Sequence, residues 1–386
     1  MTIVLQAAVL FTPLERVERP FVCIEDGIIS SIGSADAMEI PRHAQVVDLD
    51  ETILAPGFID MHIHGGAGHD VMEPDPQALP VVERFLYKHG VTTYFPTTVT
   101  APLDQTLAAL DRLANAIERD AGHSHQQARP IGIHLEGPFI SHLRPGVHPP
   151  ADLLRPTLAS FDRFWEAARG HIKVMTIAPE LEGARDVIRE ANRRGVCVSM
   201  GHSDADLQQA QEGVAAGIRH ATHTFNAMRP LEHRDPGIIG EVLTDDRLSA
   251  EIIADGIHVD PVVVRVFLRT KGTDGAVLVT DATAATGMPN GRYRLGSLEV
   301  EVKDGKCVRD GRLAGSILTM DQAVRNIVRF ADWDLQQAVR LATINPARAS
   351  RLPAKTGTLA PGAAADIVAL NRRGEVLRTI VRGHIS

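Results

Sequence analysis

The stretch Ile131-Gly132-Ile133-His134-Leu135-Glu136-Gly137-Pro138 alternates apolar and other residues and ends at a carboxylate followed by Gly-Pro. It predicts a short strand with Glu136 at its carboxyl end. The same design recurs along the chain, where other apolar runs end in the metal-binding residue types His62 and His64, His202, His223 and Asp281. Because parallel α/β barrels build their sites where the strands end, this recurrence favours a barrel with one shared site.

The region from 56 to 351 alternates strand and helix patterns. In one helical pattern, Ala184, Val187, Ile188 and Ala191 form an apolar stripe with helical spacing. Eight such units in a row favour a (β/α)8 barrel over an open doubly wound sheet. The eight predicted strands are 58–64, 92–98, 131–136, 173–178, 196–202, 220–226, 249–257 and 276–281.

Both ends of the chain have a β-rich pattern. The run Phe21-Val22-Cys23-Ile24 leads through Glu25-Asp26-Gly27 into a second apolar run, and residues 366–370 and 376–381 are similar. We therefore expect residues 1–55 and 352–386 to form one small β-sandwich domain beside the barrel of residues 56–351.

Composition narrows the class of protein. The chain has 386 residues, 44% of them hydrophobic, and a formal net charge of −8. A general nucleic-acid binder needs a basic surface, so this charge argues against one. No apolar run is long enough for a membrane span, and the N-terminus lacks the basic start of a signal peptide. Three scattered cysteines indicate a reducing compartment, so we expect a cytoplasmic protein.

The residues at the predicted strand ends offer metal-ligand chemistry. His62 and His64 are two positions apart, which places both imidazoles on one face of a strand. Glu136 faces opposite to the apolar set of its strand, where a carboxylate could bridge two metals. Each motif alone is also compatible with an ordinary polar residue at a strand end, but five together favour a metal site. His and carboxylate ligands suit zinc, iron, manganese and cobalt alike, and of these we expect zinc.

The remaining strand ends refine this prediction. His220 and His223 face opposite ways on an extended chain, and His223 lies nearer the carboxyl end, so we expect His223 to enter the site. Asp281 can ligate weakly or accept a proton from water. After His202, Ser203-Asp204 is typical of the cap of the next helix.

The same residues resemble the amidohydrolase superfamily and, more narrowly, the family of N-acetylglucosamine-6-phosphate deacetylases. The resemblance covers nearly the whole chain, and the HTFNAM and ADGIH stretches are its most specific parts. The matching stretches are PGFIDMHIHG (56–65), HLEGPF (134–139), GHS (201–203), HTFNAM (223–228), RDPG (234–237), ADGIH (254–258) and LAGS (313–316).

The resemblance implies Glu136, His202 and His223 as the main metal site. His62 and His64, which some family members replace, add a second possible metal position, so one or two ions per subunit are expected. Asn226, the Ala227 backbone N–H, Arg234 and His258 would hold a sugar phosphate, and His148 would polarise the acetyl carbonyl. The loop of His148 departs from the family pattern, because it reads Gly146-Val147-His148-Pro149-Pro150.

The resemblance also implies a reaction and an assembly. A metal would activate water for attack on the acetyl carbon, and Asp281 would take its proton and return it to the leaving nitrogen. The expected products are glucosamine 6-phosphate and acetate, made by a homodimer in which a phosphate contact could come from the neighbouring subunit. The alternatives are the galactosamine epimer, another cyclic amide or amino substrate, or a non-catalytic scaffold on the same barrel.

Overall fold

The computed structural model describes residues 2–34, 40–119 and 126–385. Its centre is a barrel of eight parallel strands in chain order, each hydrogen-bonded to the next. These strands are Phe58–Ile63, Val91–Thr98, Ile133–Glu136, Ile172–Ile177, Cys197–Met200, His220–Ala221, Ser249–Ile252 and Ala276–Leu278. The short pair Arg129–Pro130 extends the third strand at its start. The predicted barrel is confirmed, although several strands end earlier than the sequence pattern predicted.

The last strand meets the first and closes the barrel. The backbone N–H of Asp281 donates to the carbonyl of His62 (2.9 Å), and Ile63 and Ala282 form a parallel bridge. The Thr280 hydroxyl also donates to Asp60 Oδ2 at 2.6 Å. Closure therefore brings the carboxyl ends of the first and last strands side by side, together with the polar residues that follow them.

Helices cover the outside of the barrel. The stripe of Ala184, Val187, Ile188 and Ala191 is fully buried, as its spacing predicted. The described helices are Ala78–Lys88, Leu103–Arg119, Leu158–Ala167, Ala184–Arg193, Leu207–Ala216, Gly237–Thr244, Pro261–Gly275, Met320–Ala331, Leu335–Leu341 and Ile344–Ala349, with a short 3-10 turn at Pro150–Asp152. Among the described residues, no helix has both the length and the apolar composition of a membrane span.

The predicted cap of the fifth of these helices was wrong by two residues. Asp206 caps Leu207–Ala216 in a capping box with Gln209. Ser203 and Asp204 are engaged elsewhere, since the Ser203 hydroxyl and the Asp204 N–H both donate to Glu180 at 2.7 Å. These two residues therefore hold the loop after His202 instead of starting the helix.

The two chain ends form two sheets that pack on each other. Leu5, Val22, Leu54, Ile367 and Ile380 belong to one buried cluster that joins the two sheets. One sheet contains Thr2–Gln6, Pro20–Glu25, Ile28–Ser34 and Gln45–Asp48, and the other contains Val9–Phe11, Arg16–Glu18, Ile53–Pro56, Ile367–Leu370 and Val376–Ile380. The predicted domain limits at 55/56 and 351/352 stay predictions, and residues 1, 35–39 and 386 of that domain lie outside the described residues.

A ribbon of antiparallel strands follows the last barrel strand and was not predicted. We call it the mouth ribbon, and it consists of Gly291–Leu295, Leu298–Lys303, Lys306–Arg309 and Arg312–Leu313. The N–H of Gly296, in its first turn, donates to Asp70 Oδ2 at 2.8 Å. Asp70 lies in the small hairpin Gly65–Gly66 and His69–Asp70 that follows the first barrel strand. The mouth ribbon is thus attached at the carboxyl ends of the barrel strands.

Candidate metal centre and active site

Three predicted ligands meet at one point above the barrel. Glu136 Oε1 lies 3.2 Å from His202 Nε2 and 3.0 Å from His223 Nε2, and the two Nε2 atoms are 3.0 Å apart. All three side chains are buried. Ligands bound to zinc at 2.0–2.1 Å in a tetrahedron are about 3.3 Å from each other. This triangle therefore has the size and the donor atoms that a divalent metal needs.

A second group shares the same carboxylate. His64 Nε2 lies 3.2 Å from Glu136 Oε2 and 3.1 Å from Asp281 Oδ1, while His62 Nε2 lies 3.4 Å from Glu136 Oε1. Donor atoms of His62, His64 and Glu136 all lie within 4.8 Å of one another. The geometry allows Glu136 to bridge two metal positions, one with His202 and His223 and one with His62 and His64.

The histidines are oriented for metal binding by what their other ring nitrogens contact. His202 Nδ1 is 3.1 Å from the carbonyl of Arg144, and His64 Nδ1 is 3.1 Å from the carbonyl of Thr97. A carbonyl can only accept, so both Nδ1 atoms carry a hydrogen, and in the neutral rings both Nε2 atoms present the lone pair that a metal would bind. His62 Nε2 is buried and has no hydrogen-bond partner among the described residues, which also fits a metal ligand.

The electrostatics of this cluster favour a cation. Burial disfavours the charged form of Glu136, but the surrounding imidazoles hold the pKa of its carboxyl well below the usual range. Burial alone would lower the pKa of His64, but hydrogen bonds and charge from Asp281 and Glu136 raise it to about 9. The carboxylates thus attract positive charge, which protons or a metal can supply.

Asp281 is held at the point where the barrel closes. Its N–H donates to the carbonyl of His62, and its own carbonyl accepts from the N–H of Ser316 at 2.7 Å. Its pKa is raised by burial but lowered more by His62 and His64, so the carboxylate form is favoured. Oδ1 faces the His64 ring and the cavity, where it can accept a proton.

His148 enters the same site as a hydrogen-bond donor. The N–H of Thr100 donates to His148 Nδ1 at 3.2 Å, so in the neutral ring the hydrogen is on Nε2. Nε2 faces inward, 3.5 Å from Glu136 Oε2. Arg309 of the mouth ribbon donates to the carbonyl of Val147 at 3.3 Å and supports this loop. His148 can therefore donate to a carbonyl oxygen in the cavity.

The site opens into a cavity of about 130 Å³. Predicted ligands and predicted substrate contacts share its wall, and Leu295 and Leu313 of the mouth ribbon cover one side. The lining residues are His64, Val99, Glu136, Gly146, Val147, His148, His202, His223, Asn226, Ala227, His258, Asp281, Leu295, Leu313 and Gly315. Among the described residues, neither Lys nor Arg lines this cavity.

The comparisons with known proteins agree with this geometry. The model of the amidohydrolase family matches residues 53–386. This chain belongs to the amidohydrolase family. A relative from Lysinibacillus sphaericus, named N-acetylglucosamine-6-phosphate deacetylase, is 39% identical over 96% of this chain and 94% of its own length. A relative from Escherichia coli, named N-acetylgalactosamine-6-phosphate deacetylase, is 36% identical over the full length of both chains.

A solved structure is similar over the whole fold. It is a mutant of the N-acetyl-D-glucosamine-6-phosphate deacetylase from Mycobacterium smegmatis, in complex with N-acetyl-D-glucosamine-6-phosphate. It is 34% identical, with a TM-score of 0.92, and the match covers 100% of this chain and 99% of that chain. The amidohydrolase barrel and the sheets at both termini are therefore common to the two proteins.

One predicted substrate residue of this amidohydrolase lies apart from the others. Arg234 is exposed in a turn between Glu232 and Asp235 and does not line the cavity. His258 does line it, and its Nδ1 lies 2.7 Å from Asp255 Oδ2. Burial lowers the pKa of His258, but the hydrogen bond and charge of Asp255 raise it more, so the pKa lies above its usual value.

Sequence reasoning missed several residues that hold this site. Thr100 fixes the ring of His148, Asp255 holds His258, and Ser316 anchors the backbone of Asp281. Glu251 is fully buried and contacts His62, His220 and the backbone of His223. A charged residue inside the apolar strand Ser249–Ile252 was the available signal for Glu251. His220, which was expected to face away from the site, contacts Glu251 and Ser249.

Proposed function

We propose that this chain hydrolyses the amide of N-acetylglucosamine 6-phosphate to glucosamine 6-phosphate and acetate. The observation that carries the proposal is the carboxylate of Glu136, which faces both ligand groups in a cavity that also holds Asp281 and His148. That arrangement supplies ligands, a proton acceptor and a carbonyl-binding donor around one small volume. The relatives and the similar solved structure carry the names of deacetylases of such sugars, which supports this substrate.

The ligand set fits a divalent metal, zinc first, held by Glu136, His202 and His223, with a second position at His62 and His64. When bound, the metal lowers the pKa of a water and polarises the amide carbonyl. His148 donates its Nε2 hydrogen to the carbonyl oxygen as negative charge develops there. Asp281 Oδ1 accepts the proton of the attacking water and returns it to the leaving nitrogen. The cavity wall of Val99, Leu295 and Leu313 limits the entry of bulk water.

We assign the binding of the substrate's phosphate group to Asn226, the N–H of Ala227, His258 and Arg234. The first three lie on the cavity wall, and Asp255 raises the pKa of His258. A phosphate dianion is well matched by a guanidinium, which the cavity of one subunit lacks among its described residues. We therefore assign Arg234 to the cavity of a partner subunit in a homodimer. A cytoplasmic location, which the scattered cysteines led us to expect, belongs to the same proposal.

The proposed function is tested by acetate release from the purified enzyme. N-acetylglucosamine 6-phosphate is compared with the unphosphorylated sugar and with N-acetylgalactosamine 6-phosphate. We expect fast turnover only when the phosphate is present, and faster turnover of the gluco epimer. Equal turnover of the phosphorylated and unphosphorylated sugars would refute the phosphate site, and preference for the galacto epimer would replace the substrate. No turnover of any of the three would refute the deacetylase proposal.

A further inference from the structure

We infer that Glu251 is a positioning residue for metal binding. It orients His62 as a ligand of the second metal position, at His62 and His64, and connects that position with the first, at Glu136, His202 and His223. This inference rests on the proposed function, because it concerns metal sites of the proposed enzyme. Glu251 lies on the seventh barrel strand, Ser249–Ile252, and its side chain is fully buried inside the barrel. It is not among the residues that line the cavity, so a substrate held there does not contact it.

The contacts of Glu251 use both carboxylate oxygens. Oε2 lies 3.0 Å from His62 Nδ1 and accepts from the backbone N–H of His223 at 3.0 Å. Oε1 lies 3.2 Å from Nε2 of His220, whose Nδ1 lies 2.7 Å from the Ser249 hydroxyl. A buried carboxylate is costly unless its oxygens are satisfied, and these three contacts satisfy both of them.

The contact with His62 decides which nitrogen can bind a metal. A carboxylate accepts only, so it holds a hydrogen on Nδ1 of the ring. Nε2 then directs its lone pair towards Glu136 Oε1 at 3.4 Å and Asp281 Oδ1 at 3.7 Å. The ring of His134 packs edge-on against His62, with centroids 4.6 Å apart, and restricts its rotation. Carboxylate–histidine–metal chains of this kind raise the basicity of the ligand and fix its orientation.

The contact with His223 connects the two metal positions. One oxygen, Oε2, holds both the ring of His62 and the backbone of His223, a ligand of the other position. His223 has a φ of +28°, a strained backbone conformation for a histidine. An N–H bond to a buried carboxylate helps to keep that conformation. Loss of Glu251 should therefore act first on the ion at His62 and His64 and less on the ion at Glu136, His202 and His223.

The test measures metal binding in Glu251→Gln and Glu251→Leu. Glutamine keeps the shape and can still accept from His62 Nδ1, but it lacks the charge, whereas leucine also loses the hydrogen bonds. Each metal-free protein is titrated with Zn²⁺ against a competing chelator, and the ions per chain are counted by elemental analysis. We expect the more weakly held ion to lose about 10- to 100-fold in affinity in Glu251→Gln and more in Glu251→Leu.

A matched control is Glu83→Gln, which also removes a buried carboxylate charge. Glu83 accepts from the Tyr94 hydroxyl at 3.2 Å and lies on the outer helix Ala78–Lys88. We expect it to bind both ions as the wild type does. If Glu251→Leu fails to fold, Glu251→Gln decides the question. Unchanged affinities in Glu251→Gln, or a wild-type chain that binds one ion only, would overturn the inference. Acetate release by the wild type tests the proposed function separately from these metal-binding measurements.

Discussion

At the scale of single residues, the site depends on backbone conformations that favour few residue types. His202, His223 and Asp281 have φ values of +47°, +28° and +50°. Each lies just after a barrel strand, where the chain turns from extended to left-handed and aims the side chain over the mouth. Strand alternation predicted strands that reach these positions, but the strands end two or three residues earlier, at Met200, Ala221 and Leu278. It could not predict the turn, because that conformation is imposed by contacts such as those of Asp281 with His62 and Ser316.

The substitution Asp281→Asn should remove proton transfer while the fold and the shape of the side chain are kept. Asparagine has the same shape and tolerates a left-handed conformation, so we expect the melting temperature and the metal content to stay close to wild type. An amide cannot accept the proton from water, so kcat should fall by about 100-fold or more. The measurements are steady-state acetate release and elemental analysis of the same preparation.

The control for this substitution is Asp304→Asn. Asp304 also has a left-handed φ, +51°, but it is exposed in a turn of the mouth ribbon. We expect it to keep wild-type activity. Turnover of Asp281→Asn close to that of this control would exclude Asp281 as the proton acceptor.

At the scale of elements, the mouth ribbon is the part of the fold that was not predicted from the sequence. Its strands follow each other through short turns and would form a ribbon in many contexts. Its position over the barrel depends on distant contacts, namely Gly296 with Asp70 and Arg309 with Val147. Such contacts join residues far apart in the chain, so neither composition nor periodicity indicates them. The barrel strands, by contrast, were predictable because each carries its own apolar pattern.

Gly296→Ala should displace the mouth ribbon from the barrel. Gly296 has a φ of +57°, and a Cβ there would lie 2.3 Å from Val99 Cγ1. Either Val99, which lines the cavity, or the ribbon with Leu295 must then move. We expect a loss of about 1–3 kcal/mol in stability and a lower kcat/KM for the phosphorylated sugar. Denaturant unfolding and steady-state kinetics measure the two effects.

Gly305→Ala is the matched control in the same ribbon. Gly305 also has a left-handed φ, +74°, but a Cβ there would meet nothing within 4 Å. It therefore carries the strain of an alanine in that conformation without the clash. We expect its kcat/KM to stay at the wild-type value. Equal kinetic effects of the two substitutions would mean that the close packing of Gly296 against Val99 does not affect the active site.

At the scale of the whole molecule, barrel topology explains why so much of the site was predictable. The predicted ligands are spread from His62 to Asp281, and only closure of the barrel brings them together. The rule that parallel strands share one functional end was enough to place them near each other. It was not enough for Glu251, which is 189 residues from its partner His62 and stood near the start of the longer predicted strand 249–257 rather than at its end. Residues that hold a metal ligand in place follow no characteristic spacing in the sequence, so only the structure identifies them.

Assembly of two chains is the last prediction, and it follows from the exposed position of Arg234. If Arg234 serves the cavity of a partner subunit, Arg234→Ala and Asp281→Asn should complement each other in a mixed dimer. One site of that dimer then has an intact Asp281 and receives Arg234 from the other chain. Differently tagged chains are co-expressed, and the mixed dimers are purified through both tags. We expect about half of the wild-type activity per dimer, since one of two symmetric sites is complete.

The control is a mixed dimer of Asp281→Asn with Glu136→Gln, which should stay inactive because each site then carries its own defect. No recovery would place Arg234 in the cavity of its own subunit, whereas near-wild-type activity of the Arg234→Ala homodimer would place it outside the site.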